Sequence, residues 1–271
     1  MNDAEPMEVG PFEFLRVEGH HRTVVVTMAR PPVNAVNQAM YLEIRELFSR
    51  MDEWAPEARA VILRGDGSHF CAGNDLQEFL SLSPQNSPGR MSLVRAAFNA
   101  IYDCSVPVIA AVHGSALGTG LAIAGSCDLV VAGQSAKFGT PEVGVGVMGG
   151  AKHLSRLVPQ QVVRLMYFTA DPLPASELKA YGGVTAVVPD DELLSAALEL
   201  AGRITRHSAV ALRAAKESLN SIEYTDLKIG YELEQRHTSR LSGTPDSAEA
   251  RRAIVEKRRP TFQEQAFEGS T

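Results

Sequence analysis

The chain has 271 residues, of which 45% are hydrophobic and 21% are charged. These proportions are typical of a folded globular protein with a sizeable core, and they exclude a disordered or collagen-like chain. The 26 basic residues against 32 acidic residues give a formal net charge of −6 without any basic block. This charge balance argues against a protein that binds nucleic acid or an anionic membrane.

The first third of the chain predicts two strands, a helix and a third strand. Alternating or β-branched apolar residues predict the strands at Phe12–Glu18, Thr23–Met28 and Ala60–Arg64. Between the last two strands, apolar residues at helical spacing predict one amphipathic helix. These apolar residues are Met40, Ile44, Leu47, Phe48 and Met51. The small and polar residues at Ser81–Arg90 then predict a mobile loop.

The middle of the chain alternates between helices and strands. We predict a helix near Met91–Tyr102, a strand at Val106–Val112, a glycine turn, a helix near Gly120–Gly125 and a strand at Asp128–Ala132. Apolar strands that alternate with helices are typical of an α/β fold with largely parallel strands.

From Asp190 onward the sequence predicts helices alone. Their predicted bounds are Asp190–Arg206, Ser208–Asn220, Asp226–Leu241 and Pro245–Glu256. Ser208 is a candidate N-cap for the second of these helices because its hydroxyl can accept a free backbone N–H. We therefore predict a β-containing core over residues 1–200 and a helical C-terminal region over residues 201–271.

Cysteine usage and the N-terminal residues bear on the compartment. Cys71, Cys104 and Cys127 cannot all pair with one another and favour a reducing environment. The N-terminal residues are acidic and lack the basic and apolar regions of a secretory signal. The stretch Cys104–Cys127 has no Asp, Glu, Lys or Arg, but Pro107 and several glycines interrupt it. We therefore expect a cytoplasmic protein without a membrane span.

Several common sites are excluded because their motifs are missing. The chain has no G-x-x-x-x-G-K-[ST] phosphate loop, no H-E-x-x-H zinc motif and no G-x-S-x-G nucleophile elbow. The turn Gly118-Thr119-Gly120 follows a strand and opens a helix, but the third glycine of a dinucleotide-binding fingerprint is absent. The seven histidines are scattered, and we expect no metal site.

Two turns of small residues each follow a predicted apolar strand, at Phe70–Leu76 and at His113–Gly120. The helix that starts near Thr119 would direct its free N–H groups and its positive dipole end at the second turn. Two convergent N–H groups form an oxyanion hole, which suits a carbonyl oxygen that gains negative charge during a reaction. For either turn alone, the simpler interpretation is a tight connection between a strand and a helix.

A single glutamate stands out in a segment that is almost free of other charge. Glu142 follows Pro141 and is flanked by Gly139, Gly144 and Gly146. Such a partly desolvated carboxyl group is a candidate general acid or base with a raised pKa. A carboxylate in the first turn of a helix after a proline is an equally good interpretation of the spacing.

Five segments together carry a family resemblance that extends from about residue 12 to about residue 262. They are His69–Leu76, Pro107–Gly120, Cys127–Ala132, Phe138–Glu142 and Val255–Arg258. In order and spacing they resemble the crotonase superfamily of enoyl-CoA hydratases and isomerases. The resemblance implies a spiral of ββα units and a coenzyme A thioester as substrate, with no further cofactor. It also implies that the helical region forms trimers or hexamers.

The resemblance implies roles for individual positions. The backbone N–H groups of Asn74 and Thr119 fall where the family binds the thioester oxygen, and Glu142 falls on its catalytic glutamate. Further positions match residues that surround the substrate or the coenzyme. They are Ala72, Gly73, Asp75, Leu76, Gly118 and Lys257. In relatives, the lysine at this last position reaches the coenzyme phosphates of a neighbouring subunit.

One position departs from the familiar hydratase pattern. Hydratases of that type have a second glutamate, and it falls here on Ala122. The acid that dienoyl-CoA isomerases use falls on Gly150. With Glu142 as the single carboxylate, we expect isomerisation or a specialised hydration of an enoyl-CoA. The alternatives are a catalytically weak acyl-CoA-binding or scaffold protein, and a thioester hydrolase or C–C lyase on the same scaffold.

Overall fold

The structure is a computed structural model that describes residues 5–7 and 9–262. Most of the acidic N-terminal stretch, and the last nine residues of the predicted C-terminal region, lie outside the described residues. Within the described part of the chain, no helix is both long and apolar enough to cross a membrane.

Ten strands and twelve α-helices make up the described chain. The strands are β1 (Glu5–Pro6), β2 (Leu15–His20), β3 (Thr23–Met28), β4 (Ala60–Gly65), β5 (Val108–Val112), β6 (Ser115–Leu117), β7 (Leu129–Gly133), β8 (Lys137–Gly139), β9 (Leu173–Pro174) and β10 (Ala186–Val188). The helices are α1 (Gln38–Ser49), α2 (Met51–Trp54), α3 (Leu76–Leu80), α4 (Ser87–Tyr102), α5 (Thr119–Ser126), α6 (Ala151–Leu154), α7 (Gln160–Thr169), α8 (Ala175–Ala180), α9 (Leu193–Thr205), α10 (Ala209–Ile222), α11 (Leu227–Ser242) and α12 (Pro245–Val255). Two 3-10 helices cover Pro141–Val145 and Asp190–Glu192.

The larger sheet has seven strands in the order β1-β2-β3-β4-β5-β7-β10. The pairs β1–β2 and β2–β3 are antiparallel, and every pair from β3 to β10 is parallel. A smaller sheet has the order β6-β8-β9. The carboxyl ends of parallel strands open at one edge of a sheet, so the segments that follow β4 and β5 emerge side by side.

Buried apolar residues cover both faces of the larger sheet. On one face, Val25, Ile62 and Ile109 are adjacent in register and pack with Ala197 and Ala201 of α9. The opposite face packs against the main core, which includes the apolar stripe of α1. Strands that are buried on both sides account for the continuous apolar runs in the sequence. The predicted α/β fold with parallel strands is confirmed.

Element bounds differ from the predictions at a few places. The predicted loop Ser81–Arg90 is wrong in its second half, because α4 begins at Ser87 with a proline in its first turn. Backbone N–H groups in the first turn of a helix have no acceptor within the helix, so the N–H that proline lacks costs no hydrogen bond there. The predicted helix at Asp190 begins as a short 3-10 segment, and α9 itself starts at Leu193. The N-cap role of Ser208 is confirmed, since its side chain accepts the N–H of Ala211.

The C-terminal helices α10, α11 and α12 pack against one another after α9. Residue 200 lies within α9, and the division at this point into two regions stays a prediction. Cys71, Cys104 and Cys127 are all buried and carry free thiols.

Candidate active site

One cavity collects four of the site residues that the sequence analysis predicts. Asn74, Gly118, Thr119 and Glu142 line a cavity of about 120 Å³ that opens to solvent. Apolar side chains form most of the remaining wall. They are Phe79, Leu82, Met91, Leu93, Val94, Phe98, Val147 and Met148. The cavity therefore combines a few polar groups with a mostly apolar wall, which suits an acyl group.

Backbone hydrogen bonds hold the two small-residue turns together. The Cys71 N–H donates to the Ser115 carbonyl at 3.0 Å, and the Leu117 N–H donates to the Cys71 carbonyl at 3.1 Å. A Cβ atom on Gly120 would overlap the Cys71 carbonyl, so glycine allows the start of α5 to approach the first turn. These contacts place Asn74 and Thr119 on adjoining segments of backbone.

The amides of Asn74 and Thr119 are free to bind a ligand. Within the described part of the chain, neither N–H has a hydrogen-bond acceptor. The neighbouring groups are engaged, since the Asp75 N–H donates to the Val36 carbonyl at 2.9 Å and the Ala122 N–H donates to the Gly118 carbonyl at 3.0 Å. Unpaired N–H groups on two residues that line one cavity are the kind of donors that an oxyanion hole requires.

Two glycines give these turns a shape that other residues rarely adopt. Gly118 has φ +53° and precedes the first residue of α5, and Gly73 has φ +125° and precedes Asn74. Positive φ values of this kind carry a steric cost for residues with a Cβ atom. Each candidate donor thus follows a glycine that turns the chain.

The carboxyl group of Glu142 is buried beside the second turn. Its side chain is 9% exposed, and Oε2 has no hydrogen-bond partner among the described residues. A Cβ atom on Gly118 would lie 3.3 Å from Oε1, and one on Gly150 would lie 3.5 Å away. Burial raises the pKa of Glu142, partly offset by a hydrogen bond from its own backbone N–H. Glu142 also lies in the first turn of a 3-10 helix, as the second interpretation of its spacing expects, and its role as an acid or base stays a prediction.

The cavity contains a single carboxylate among its described lining residues, and this carboxylate is Glu142. Ala122 lines the same cavity one helical turn after Gly118 and is 1% exposed. Gly150, where another subgroup of the family has its acid, also lines the wall. No side chain at either position supplies a second acid.

The other predicted contacts lie outside this cavity lining. Asp75 caps α3 by accepting the Glu78 N–H at 3.1 Å, and it pairs with Arg30 at 2.6 Å. The Glu78 N–H and the Arg30 guanidinium lower the pKa of Asp75. Leu76 is 68% exposed, and Lys257 is exposed after the end of α12.

Ala72 and Gly73 are held by the backbone around the first turn. The Ala72 N–H donates to the Val33 carbonyl at 3.0 Å, and the Gly73 carbonyl accepts the Val36 N–H at 2.9 Å. Contact with the coenzyme stays a prediction for Ala72, Gly73, Asp75, Leu76 and Lys257.

Tyr41 is a site residue that the sequence did not indicate. Its hydroxyl donates to Asn74 Oδ1 at 2.7 Å and lies 2.9 Å from Thr119 Oγ1. Tyr41 lies on α1 beside Met40, within the apolar stripe, and such a position is typical of a core residue. The feature that could have indicated a role for Tyr41 is its hydroxyl group, because a buried tyrosine hydroxyl usually requires a hydrogen-bond partner.

Tyr167 is a second residue that the sequence did not indicate. Its hydroxyl accepts the Gly149 N–H at 2.8 Å and donates to the Gly149 carbonyl at 3.0 Å. Gly149 lines the cavity next to Glu142. Tyr167 therefore fixes the segment that closes around the carboxyl group.

Comparisons with known proteins identify the family of the chain. A family model described as enoyl-CoA hydratase/isomerase matches residues 18–265. The chain is 40% identical to the (7aS)-7a-methyl-1,5-dioxo-2,3,5,6,7,7a-hexahydro-1H-indene-carboxyl-CoA hydrolase of Mycobacterium tuberculosis, over 86% of this chain and 95% of that protein. It is 39% identical to the Rhodococcus jostii hydrolase of the same name, over 87% of this chain and 91% of that protein.

A solved structure of an enoyl-CoA hydratase supports the same family and fold. The crystal structure of an enoyl-CoA hydratase subunit from Geobacillus kaustophilus superposes with a TM-score of 0.87 at 32% identity, covering 94% of this chain and 100% of that chain. The predicted crotonase-type α/β fold is thereby confirmed. The chain belongs to the enoyl-CoA hydratase/isomerase family.

Proposed function

We propose that this chain acts on the acyl group of a coenzyme A thioester through an enolate, with Glu142 as its single acid and base. One observation carries the proposal. Two amides without acceptors among the described residues, at Asn74 and Thr119, line the same cavity as a buried carboxyl group. An enolate needs both components, because its oxygen gains charge while a proton leaves or reaches carbon.

The thioester oxygen would accept both N–H groups. Each well-placed donor lowers the barrier to enolate formation by roughly 3–4 kcal/mol. Glu142 would remove the proton from C2, and its raised pKa makes the carboxylate a stronger base than an exposed glutamate. The coenzyme A is part of the substrate, and no separate cofactor enters the reaction.

The first candidate reaction is isomerisation or a specialised hydration of an enoyl-CoA. A single carboxylate can carry a proton from C2 to C4, so isomerisation needs only Glu142. Hydration also requires a positioned water, and Ala122 provides no second carboxylate to hold it. The site therefore favours isomerisation over fast hydration of a small enoyl-CoA.

The second candidate is hydrolysis of a 3-ketoacyl-CoA at a carbon–carbon bond, and the names of two relatives support hydrolysis as the reaction class. The two relatives with 39–40% identity are named hydrolases of a bicyclic dioxo carboxyl-CoA, whereas identity to the solved hydratase is 32%. Glu142 would take a proton from water as the water oxygen attacks the ketone. The C2–C3 bond then breaks, its electron pair forms the thioester enolate, and Glu142 returns the proton to C2.

A panel of acyl-CoA substrates separates these reactions. We would incubate the protein with 2-enoyl-CoA, 3-enoyl-CoA, 3-hydroxyacyl-CoA and a cyclic 3-ketoacyl-CoA, and would follow the products by mass spectrometry. Isomerisation leaves the mass unchanged, whereas hydration and ring hydrolysis each add one water while the thioester stays intact. Glu142→Gln should abolish whichever conversion occurs.

Two outcomes would overturn the proposal. Release of free coenzyme A as the primary product would indicate hydrolysis of the thioester itself. Binding of the whole panel without conversion would indicate an acyl-CoA-binding or scaffold protein. Isothermal calorimetry with the same compounds distinguishes this second outcome from a failure to bind.

Homo-oligomerisation through the C-terminal helices is part of the same proposal. Large apolar side chains on and around α10, α11 and α12 are exposed, among them Leu227 at 83% and Val255 at 82%. Exposed apolar surface of this kind is typical of an interface. Light scattering after size-exclusion chromatography should give the mass of a trimer or hexamer, and a monomeric mass would contradict this part.

A further inference from the structure

We propose that Tyr41 is a positioning residue that fixes the two amide donors of the oxyanion hole relative to each other. The inference rests on the proposed function, because it assigns a role to those donors. It concerns a hydroxyl group that touches both donor residues but is neither an acid nor a base in the reaction.

The geometry joins three side chains in one chain of hydrogen bonds. The Tyr41 hydroxyl has one proton, and it donates this proton to Asn74 Oδ1 at 2.7 Å. Its contact with Thr119 Oγ1 at 2.9 Å is therefore a hydrogen bond that Thr119 donates. The side chains of both donor residues thus meet on a single oxygen atom.

Tyr41 is itself held firmly. It is 2% exposed, and its ring packs edge-to-face against Phe98 of α4, with centroids 6.0 Å apart. Phe98 packs in the same way against His153, with centroids 5.0 Å apart. Because the ring is fixed between α1 and α4, its hydroxyl can hold the turns that carry Asn74 and Thr119 in fixed positions.

Both donor residues carry the side chains that this contact requires. The Asn74 amide and the Thr119 hydroxyl are polar groups on residues whose N–H groups, rather than side chains, are proposed to bind the thioester. A donor acts fully only when it points at the position that the oxyanion will occupy. The two hydrogen bonds of the Tyr41 hydroxyl, with Asn74 and with Thr119, are together called the tie. The tie restricts rotation of the two peptide units that carry the amides.

The tie persists over the working pH range. Burial raises the pKa of Tyr41 well above that of a free tyrosine, so the hydroxyl retains the proton that it donates to Asn74. Because Tyr41 stays neutral, its removal should change the rate without adding a titration to the pH profile.

The first test compares Tyr41→Phe with a matched control. Tyr102→Phe also removes a hydroxyl with hydrogen bonds, to Glu223 at 2.7 Å and to the Asn220 carbonyl at 3.2 Å, from a residue outside the cavity lining. We expect Tyr41→Phe to lower kcat by about 10- to 100-fold with little change in KM. Tyr102→Phe should lower stability without this selective loss of kcat.

The second test uses the partner side chain. Thr119→Val removes the hydroxyl and keeps the shape, whereas Thr119→Ser keeps the hydroxyl and should rescue most of the activity that the valine variant loses. Tyr41→Phe and Thr119→Val break the same tie, so their combination should lose no more than the larger single effect. Additive losses would overturn the proposed tie.

The third test measures the oxyanion hole without turnover. Acetoacetyl-CoA forms an enolate whose near-ultraviolet absorbance reports the bound anion, and the Glu142→Gln background prevents reaction. We expect the bound enolate fraction at fixed pH to fall about 10-fold when Tyr41→Phe is added. An equal fraction with and without the phenylalanine would overturn the inference and leave the proposed function intact. If the Glu142→Gln protein itself stabilises no enolate, the proposed function fails, and the inference fails with it.

Discussion

The carboxyl oxygen Oε1 of Glu142 lies 3.3 Å from the point that a Cβ atom on Gly118 would occupy. Gly118 directly precedes Thr119, so the proposed acid and base adjoins the turn that carries the second amide donor. No charged neighbour shifts the pKa of Glu142, and its Oε2 has no hydrogen-bond partner among the described residues. The carboxyl group is therefore available to the cavity rather than committed to a structural salt bridge.

Gly118→Ala should impair turnover more than it impairs folding. The new methyl group would press on Glu142 Oε1, and the residue would have to keep φ +53° with ψ −110°, a conformation that residues with a Cβ atom rarely adopt. Gly67→Ala is the matched control, because Gly67 has φ +69° and open space around its Cβ position. We expect both variants to lose free energy of unfolding, but a drop in kcat/KM for Gly118→Ala alone. Equal kcat/KM values for the two variants would contradict this contact.

Glu142→Gln should lower kcat by at least about 100-fold with little loss of acyl-CoA binding. The amide keeps the shape of the side chain but can no longer accept a proton from C2. Glu57→Gln at an exposed position controls for the change of charge. Steady-state kinetics and calorimetric binding provide the two readouts, and unchanged turnover would remove Glu142 from the mechanism.

The pKa that the acid limb of the pH–rate profile reports should lie above the ordinary glutamate pKa of 4.5. Burial raises the pKa of Glu142, so the carboxylate base is lost at a higher pH than for an exposed glutamate. A profile of kcat/KM against pH measures this value in the free enzyme. A limb at or below 4.5 would contradict the desolvated environment.

The same raised pKa predicts how stability depends on pH. Between the ordinary and the raised value, the folded state binds more protons at Glu142 than the unfolded state does, so the free energy of unfolding falls as the pH rises through this interval. Denaturant unfolding at several pH values should show this decrease in the wild type relative to Glu142→Gln. Parallel curves for the two proteins would show that burial does not affect this group.

Ala122→Glu should raise crotonyl-CoA hydration by about 10-fold or more. The new carboxyl group would enter the cavity one turn after Gly118 and could hold a water against Glu142. Ala122→Gln fills the same space without a carboxylate and should give no such gain. A wild type that already hydrates crotonyl-CoA as fast as two-glutamate enzymes would contradict the role given to Ala122.

Local sequence patterns predicted most of the central fold. The β-branched run Thr23–Met28 forms β3 with the predicted bounds, because parallel strands buried on both faces need continuous apolar residues. The start of α4 was missed, since Ser87, Pro88 and Gly89 are typical of a loop although proline is tolerated in a first helical turn.

The site was predicted where it depends on the backbone and on the family resemblance, and it was missed where it depends on tertiary contacts. Asn74, Thr119 and Glu142 line one cavity as expected. Tyr41 meets partners 33 and 78 residues away, and no local pattern links positions at such separations. Its neighbours along α1 are apolar, so its periodicity indicated only the core.

The most direct test of the enolate mechanism is hydrogen exchange at C2 of a 3-enoyl-CoA in D2O, followed by NMR. The mechanism predicts that the wild type removes a hydrogen from C2, which then either exchanges with solvent deuterium or appears at C4. It also predicts that Glu142→Gln slows the loss of this hydrogen by at least about 100-fold. Conversion in which the C2 hydrogen is neither exchanged nor carried to C4, or loss of the C2 hydrogen that proceeds equally fast in the glutamine variant, would contradict it.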